Sequence, residues 1–188
     1  GQQTVEMVEH ILAALFALQI DNCEVWTDQP EMPGCDGSSQ PFVDALLAAG
    51  RTEQDQPRQQ LIVNEHTRVG NEDSWVEAQP AQSKHWSLKY RLDYGPGPIG
   101  RQTIEMELSA DSFQNELASA RTFLLKQEAD WMREQGLGGR VSYSDLLVFD
   151  DEGPIDNELR FEDECVRHKA LDLVGDLALA GCDFVGHF

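Results

Sequence analysis

Apolar positions fall into runs of helix or strand period, parted by polar or Pro- and Gly-rich pieces. Thr4 is a fair N-cap, and "VEMVEHILAALFAL" (5–18) predicts a largely apolar helix ending near "QIDN" (19–22). "CEVWTD" (23–28) alternates like a strand. "QPEMPGCDGSSQPF" (29–42) is crowded with Pro, Gly, Ser and Asp and predicts an irregular loop with tight turns. Pro41 suits a first helical position, so "PFVDALLAAG" (41–50) predicts a short helix closed by Gly50. The polar stretch "RTEQDQPRQQ" (51–60), with Pro57, marks a boundary between two units, 1–54 and 55–188.

Four strand-like runs follow: "LIVN" (61–64), "SWVEAQ" (74–79), "HWSLKYRLD" (85–93) and "QTIEMEL" (102–108). The pattern then turns helical in 111–120, 126–135 and about 161–180, with a short strand "LLVFD" (146–150) between. Strands gathered first and helices later favour an α+β layer over a doubly wound sheet.

The 188 residues are 40% hydrophobic, enough for a real core. Fourteen basic against 34 acidic side chains give a formal charge of −20, which repels nucleic acid and anionic membrane surfaces. Neither is a predicted partner. An anionic ligand would need local cations, of which Arg121, Arg167 and Lys169 are the candidates. The scattered Cys23, Cys35, Cys165 and Cys182 read as reduced thiols. No segment reaches the roughly 18 to 20 apolar residues of a membrane span, and no basic leader precedes the first helix. The chain therefore reads as cytoplasmic and without stable membrane insertion; a monomer is expected, although nothing in the sequence fixes the oligomeric state. Its abrupt start at "GQQT" and its stop within "DFVGHF" read as those of a fragment.

The chemistry sits on two apolar helices. In "DECVRHKALDLVGDLALAG" (163–181), His168 and Asp172 lie four apart and share a face, with Asp176 one turn on. Leu171, Leu173, Val174 and Leu177 bury much of that helix, so its carboxylates need a cation, a metal or several donors. Alone, the segment reads as a helical ion pair. Glu9 and His10 open the other helix and project about 100° apart, so they can line two sides of one cavity. Alone, His10 reads as a satisfied core histidine. Together, two His and one Asp make three ligands, the number zinc uses when its fourth position stays open for water. No paired cysteines offer a closed structural site. An open site implies a reaction: zinc lowers the pKa of water from about 15.7 to about 7, and Glu9 is placed to accept the proton.

The runs "VEHILAAL", "PEMPGCDGSSQPF", "ARTF" (120–123) and "LRFEDECVRHKALDLVGDLAL", in that order, resemble the lipid A pathway zinc deacetylases, the UDP-3-O-acyl-N-acetylglucosamine deacetylase family. The resemblance implies a cytoplasmic, Zn2+-dependent hydrolase that removes acetate from the sugar nitrogen of UDP-3-O-acyl-N-acetylglucosamine. It implies two α+β domains, each layering helices on a mostly antiparallel sheet, similar to ribosomal protein S5 domain 2, the first one incomplete here. His10, His168 and Asp172 then resemble the zinc ligands and Glu9 the general base. Thr122 resembles the group that helps hold the oxyanion, Phe123 a contact of the sugar region, and Lys169 the cation meeting the substrate's polar head. Asp176 resembles the orienting partner of a catalytic histidine in a Ser-Gly-His segment, which this chain stops short of. His187 falls too early for that role. "GLGGRVSYSDLLVF" (136–149) is shorter at its glycines than the family form, which leaves the preferred acyl length open.

Other residues read as structural. Glu65 and His66 sit in a polar connection, His85 lies beside Trp86 on a strand, and "DDEGPIDNE" lacks the spacing of a calcium loop. Ser38 and Cys35 lack a nucleophile elbow. An alternative to the active amidase is a relative that binds zinc and nucleotide sugar without turnover; a plain ion-paired helical protein is the third.

Overall fold

Helix α1 (Glu9–Ala17) begins at Glu9, not at Val5 as the pattern predicts. Residues just before it spend their backbone groups elsewhere: the Glu6 N–H donates to the Pro30 carbonyl at 2.8 Å, and the Met32 N–H donates to the Glu6 carbonyl at 2.9 Å. Met7 has φ 56, a left-handed conformation that interrupts a helix. The computed structural model of the chain describes residues 4–81, 84–136 and 146–188. Residues 23–28 form no strand; they are exposed, Trp26 by 89%, and find no ladder partner among the described residues. Alternation alone does not make a strand where nothing supplies the other half of its hydrogen bonds. Helix α2 (Gln40–Ala49) follows the pattern, with Pro41 in its first turn and Gly50 at φ 75 closing it.

The strands are β1 (Gln60–Ile62), β2 (Thr67–Gly70), β3 (Trp75–Ala78), β4 (Trp86–Asp93) and β5 (Arg101–Glu107). Strand β2, too polar to stand out, pairs antiparallel with β3. The run 111–120 divides into one α-turn, α3 (Ala110–Ser112), and a π-helix (Phe113–Leu117), which turns both Phe113 and Leu117 into the core. Then come β6 (Phe123–Leu125), α4 (Lys126–Glu134), β7 (Leu147–Phe149), α5 (Glu164–Ala178) and β8 (Asp183–His187). Strands β6 and β7 pair in parallel on either side of α4. Of the segment 136–149, residues 137–145 lie outside the described residues, and with them much of the reading about acyl length.

This is the α+β architecture expected. The main sheet has the order β1-β8-β4-β5. Its longest ladder, β4 with β5, is antiparallel, while β8 runs parallel to both β1 and β4. Strand β4 alternates, with Trp86, Leu88 and Leu92 buried, and this face meets α5. Helix α5 buries two stripes: Glu164, His168, Leu171 and Gly175 on one, Val166, Ala170 and Val174 on the other. That is why its sequence is apolar almost all round. Helix α1 lies against it through small side chains, with Ala13, Ala14 and Ala17 buried. At the tightest point Gly175 meets the backbone of Glu9: a Cβ there would sit 2.1 Å from the Glu9 carbonyl oxygen. Among the described residues no helix is long and apolar enough to cross a membrane.

Candidate metal centre

The α1–α5 crossing brings together residues from opposite ends of the chain. His10 on α1 and His168 on α5 have ring centroids 5.1 Å apart at 81°. Asp172, one turn beyond His168, places Oδ1 3.4 Å from His168 Nε2 and 3.6 Å from His10 Nε2. The three ligand atoms lie within 4.8 Å of one another. Both histidines are buried, and the Asp172 side chain is 19% exposed.

The donor chemistry fits a cation. The His168 Nδ1 lies 3.1 Å from the Ala120 carbonyl oxygen. A carbonyl only accepts, so in the neutral ring the proton sits on Nδ1 and Nε2 presents a lone pair. That lone pair faces the Asp172 carboxylate, and Oδ1 is buried with no hydrogen-bond partner. Contacts of 3.4 and 3.6 Å are too long for hydrogen bonds. Two imidazole nitrogens and an orphaned carboxylate oxygen converging without a shared proton form the three-ligand set that zinc takes when one position is left open.

Electrostatics agree. Burial pushes the His168 imidazole down, opposed by Asp172. Burial would raise the Asp172 carboxyl, but His10, His168 and Lys169 outweigh it and bring it down to about 2. Lys169 Nζ donates to Asp172 Oδ2 at 3.0 Å and lies 5.8 Å from the centroid of the Phe123 ring, which is itself buried. Burial raises the Asp176 carboxyl, helped by the charges of Asp172 and Glu9. Glu9, half-buried, thus stands beside both its neighbour His10 and Asp176. Thr122 is half-buried two residues beyond Ala120, its N–H donating to the Gly37 carbonyl at 2.7 Å. The eight site residues expected from the sequence lie on α1, on α5 and at the start of β6; direct contacts join His10, His168, Asp172, Lys169 and Phe123, charge links Asp176 and Glu9 to them, and Thr122 is tied instead to Gly37.

Of the three candidate cations Lys169 is the one at the centre, its ammonium on Asp172 Oδ2 and its side chain 36% exposed. Arg121 is buried in a pair with Glu164, and Arg167 is bound to Asp163 and Glu116. Ser38 is buried and donates to Asp36, and Cys35 is an exposed free thiol in the same turn. His187 on β8 sits 2.8 Å from Ser87 Oγ. His66 is exposed, and His85 lies just before β4, exposed rather than on the strand.

Several contributors escaped sequence reading. Ser39 precedes α2 as an N-cap residue but gives its hydroxyl to the His10 carbonyl at 2.7 Å instead of capping. The loop 36–39, legible only as turn chemistry, thereby joins the backbones of His10 and Thr122. Half-buried Tyr90 on β4 lies within electrostatic reach of Lys169, Asp172 and Asp176, and burial pushes its hydroxyl up. Its alternation along β4 was a signal, but only the packing of α5 on that strand aims it at the site.

A family model described as LpxC: UDP-3-O-acyl N-acetylglycosamine deacetylase matches residues 1–188. Proteins named UDP-3-O-acyl-N-acetylglucosamine deacetylase are similar throughout. The one from Haemophilus influenzae (strain 86-028NP) is 37% identical over 98% of this chain and 61% of its own length. That from Geobacter sp. (strain M21) is 38% identical over 100% and 61%. That from Phenylobacterium zucineum (strain HLK1) is 39% identical over 98% and 63%. The chain thus spans about three fifths of the length of these relatives. With motifs, fold and match in agreement over its whole length, the chain belongs to the LpxC family of UDP-3-O-acyl N-acetylglycosamine deacetylases.

Proposed function

We propose that the chain carries the metal centre of a zinc-dependent amidase that removes the N-acetyl group from UDP-3-O-acyl-N-acetylglucosamine in lipid A synthesis. The observation that carries this reading is the buried, unpartnered Asp172 Oδ1 facing the Nε2 atoms of His10 and His168. His10, His168 and Asp172 would hold the zinc, which when bound polarises the amide carbonyl and acidifies water. Glu9, adjacent to a ligand on the first turn of α1, is the general base that takes the proton of the attacking water. Lys169, held between Asp172 and the Phe123 face, meets the polar part of the substrate, and Phe123 bounds the sugar. Thr122 helps hold the oxygen on which negative charge develops. Asp176, whose carboxyl is raised by burial and by the charges of Asp172 and Glu9, is a positioning group for a histidine. These roles follow the family resemblance, and the geometry supports them by convergence.

Metal analysis of the purified chain should give about one zinc per chain, with loss of zinc in His10→Ala and His168→Ala. Acetate release from the UDP-sugar should vanish in Glu9→Ala while zinc is retained. A chain that binds no zinc at neutral pH would refute the proposal; zinc binding without acetate release would leave a nucleotide-sugar-binding protein.

A further inference from the structure

The peptide unit between Ala120 and Arg121 is held at both ends by one helix. Its carbonyl oxygen lies 3.1 Å from His168 Nδ1, and its N–H donates to Glu164 Oε1 at 3.0 Å. Glu164 and His168 are four residues apart on α5 and so lie one above the other on a single face. Both are buried, Glu164 completely. The carboxylate is itself held fast. Oε1 also accepts from Arg121 Nε at 2.9 Å, and Oε2 accepts from Arg121 Nη2 at 3.2 Å and from the Arg160 N–H at 2.6 Å. The guanidinium completes its bonds on Asn157 Oδ1 at 2.9 Å and the Glu158 carbonyl at 2.6 Å.

A buried ion pair is a weak source of stability, because desolvating the two charges offsets most of their attraction. This pair has a more specific consequence. A carboxylate that accepts from an amide N–H draws electron density towards the amide's carbonyl oxygen, since linked hydrogen bonds polarise one another. The Ala120 carbonyl becomes a stronger acceptor for the Nδ1 proton, and Nε2 becomes a better donor to a cation. A carboxylate bonded directly to a ligating histidine acts in the same way. Here one peptide bond stands between them. We infer that Glu164 is a positioning residue which, by holding and polarising the Ala120–Arg121 peptide whose carbonyl keeps the proton on Nδ1, sets the donor strength of His168 towards a divalent cation. This rests on the metal-centre reading above, and the test separates the two.

In the purified chain without metal, the imidazole nitrogen shifts of His168 should report the proton on Nδ1. A proton on Nε2 overturns the inference whether or not the chain binds zinc. In Glu164→Gln the proton should stay on Nδ1, where the Ala120 carbonyl holds it, but zinc affinity, read by competition with a chromophoric chelator, should fall about 10- to 100-fold. Asn157→Ala removes a partner of the guanidinium but leaves the peptide clamped; it should lower the melting temperature while zinc affinity stays at the wild-type value. Glu164→Gln leaves Arg121 charged in the interior, so the neutral pair Arg121→Met with Glu164→Gln serves if the single variant does not fold, and should show the same loss. Wild-type zinc affinity in a folded variant without the Glu164 carboxylate overturns the inference. A wild-type chain that binds no zinc overturns the metal reading itself, and the nitrogen shifts still decide the tautomer.

Discussion

Asp172 keeps a negative charge in a place where burial opposes one, and its neighbours decide the outcome. Its folded value of about 2 lies below the ordinary aspartate value of about 3.9. Between these values the unfolded chain binds more protons than the folded one, so stability falls as pH drops through the interval and is fully present above it. Urea unfolding of metal-free protein between about pH 2 and pH 6 should show this loss below about pH 4, and Asp172→Asn should flatten that part of the slope. Cys165 is the opposite case. Burial and the adjacent Glu164 carboxylate push its thiol up to about 12, so at pH 8 the native chain should alkylate at exposed Cys23 and spare Cys165 until denaturant is added. Peptide mass mapping after iodoacetamide checks this. At this scale the candidate ligands were legible in the sequence, since His168 and Asp172 share a helical face by spacing alone. Tyr90 and the Ala120 carbonyl were not, because neither carries a local pattern that points at a metal.

Helices α1 and α5 form the site only because they nearly touch. Gly175 permits this, with the Glu9 carbonyl occupying the space of an absent Cβ. In an exposed helix Gly→Ala stabilises by roughly 0.8–1.0 kcal/mol. Here the sign should reverse, Gly175→Ala costing about 1–3 kcal/mol through overpacking. It should weaken zinc binding as well, because His10 moves away from His168; thermal melts with and without zinc separate the two effects. The turn-rich loop 36–39 belongs at this scale too. It read as a connection, yet Ser39 and Gly37 tie α1 to the start of β6. A hydrogen bond from a side chain to a distant carbonyl leaves no trace in local composition.

Over the whole molecule, the charge of −20 concentrates cations and repels anions. Of the three candidate cations Arg121 and Arg167 are committed to ion pairs within the chain, while Lys169, partly exposed, donates to Asp172. Binding to the folded state alone should couple metal to stability. At zinc about 1,000-fold above its dissociation constant the gain is about 4 kcal/mol, a melting shift on the order of 10 °C for a chain of this size. A chelator should reverse the shift, and His168→Ala should abolish it. What the sequence by itself determined was the α+β class, the faces of the two apolar helices and the identity of the charged residues on them, because periodicity and side-chain chemistry are local properties. Only the tertiary structure decided that residues 10 and 168 meet where α1 crosses α5, that residues 23–28 find no strand partner among the described residues and that Arg121 and Arg167 are consumed in ion pairs. Those outcomes depend on contacts between residues far apart in the chain, which a one-dimensional pattern does not encode.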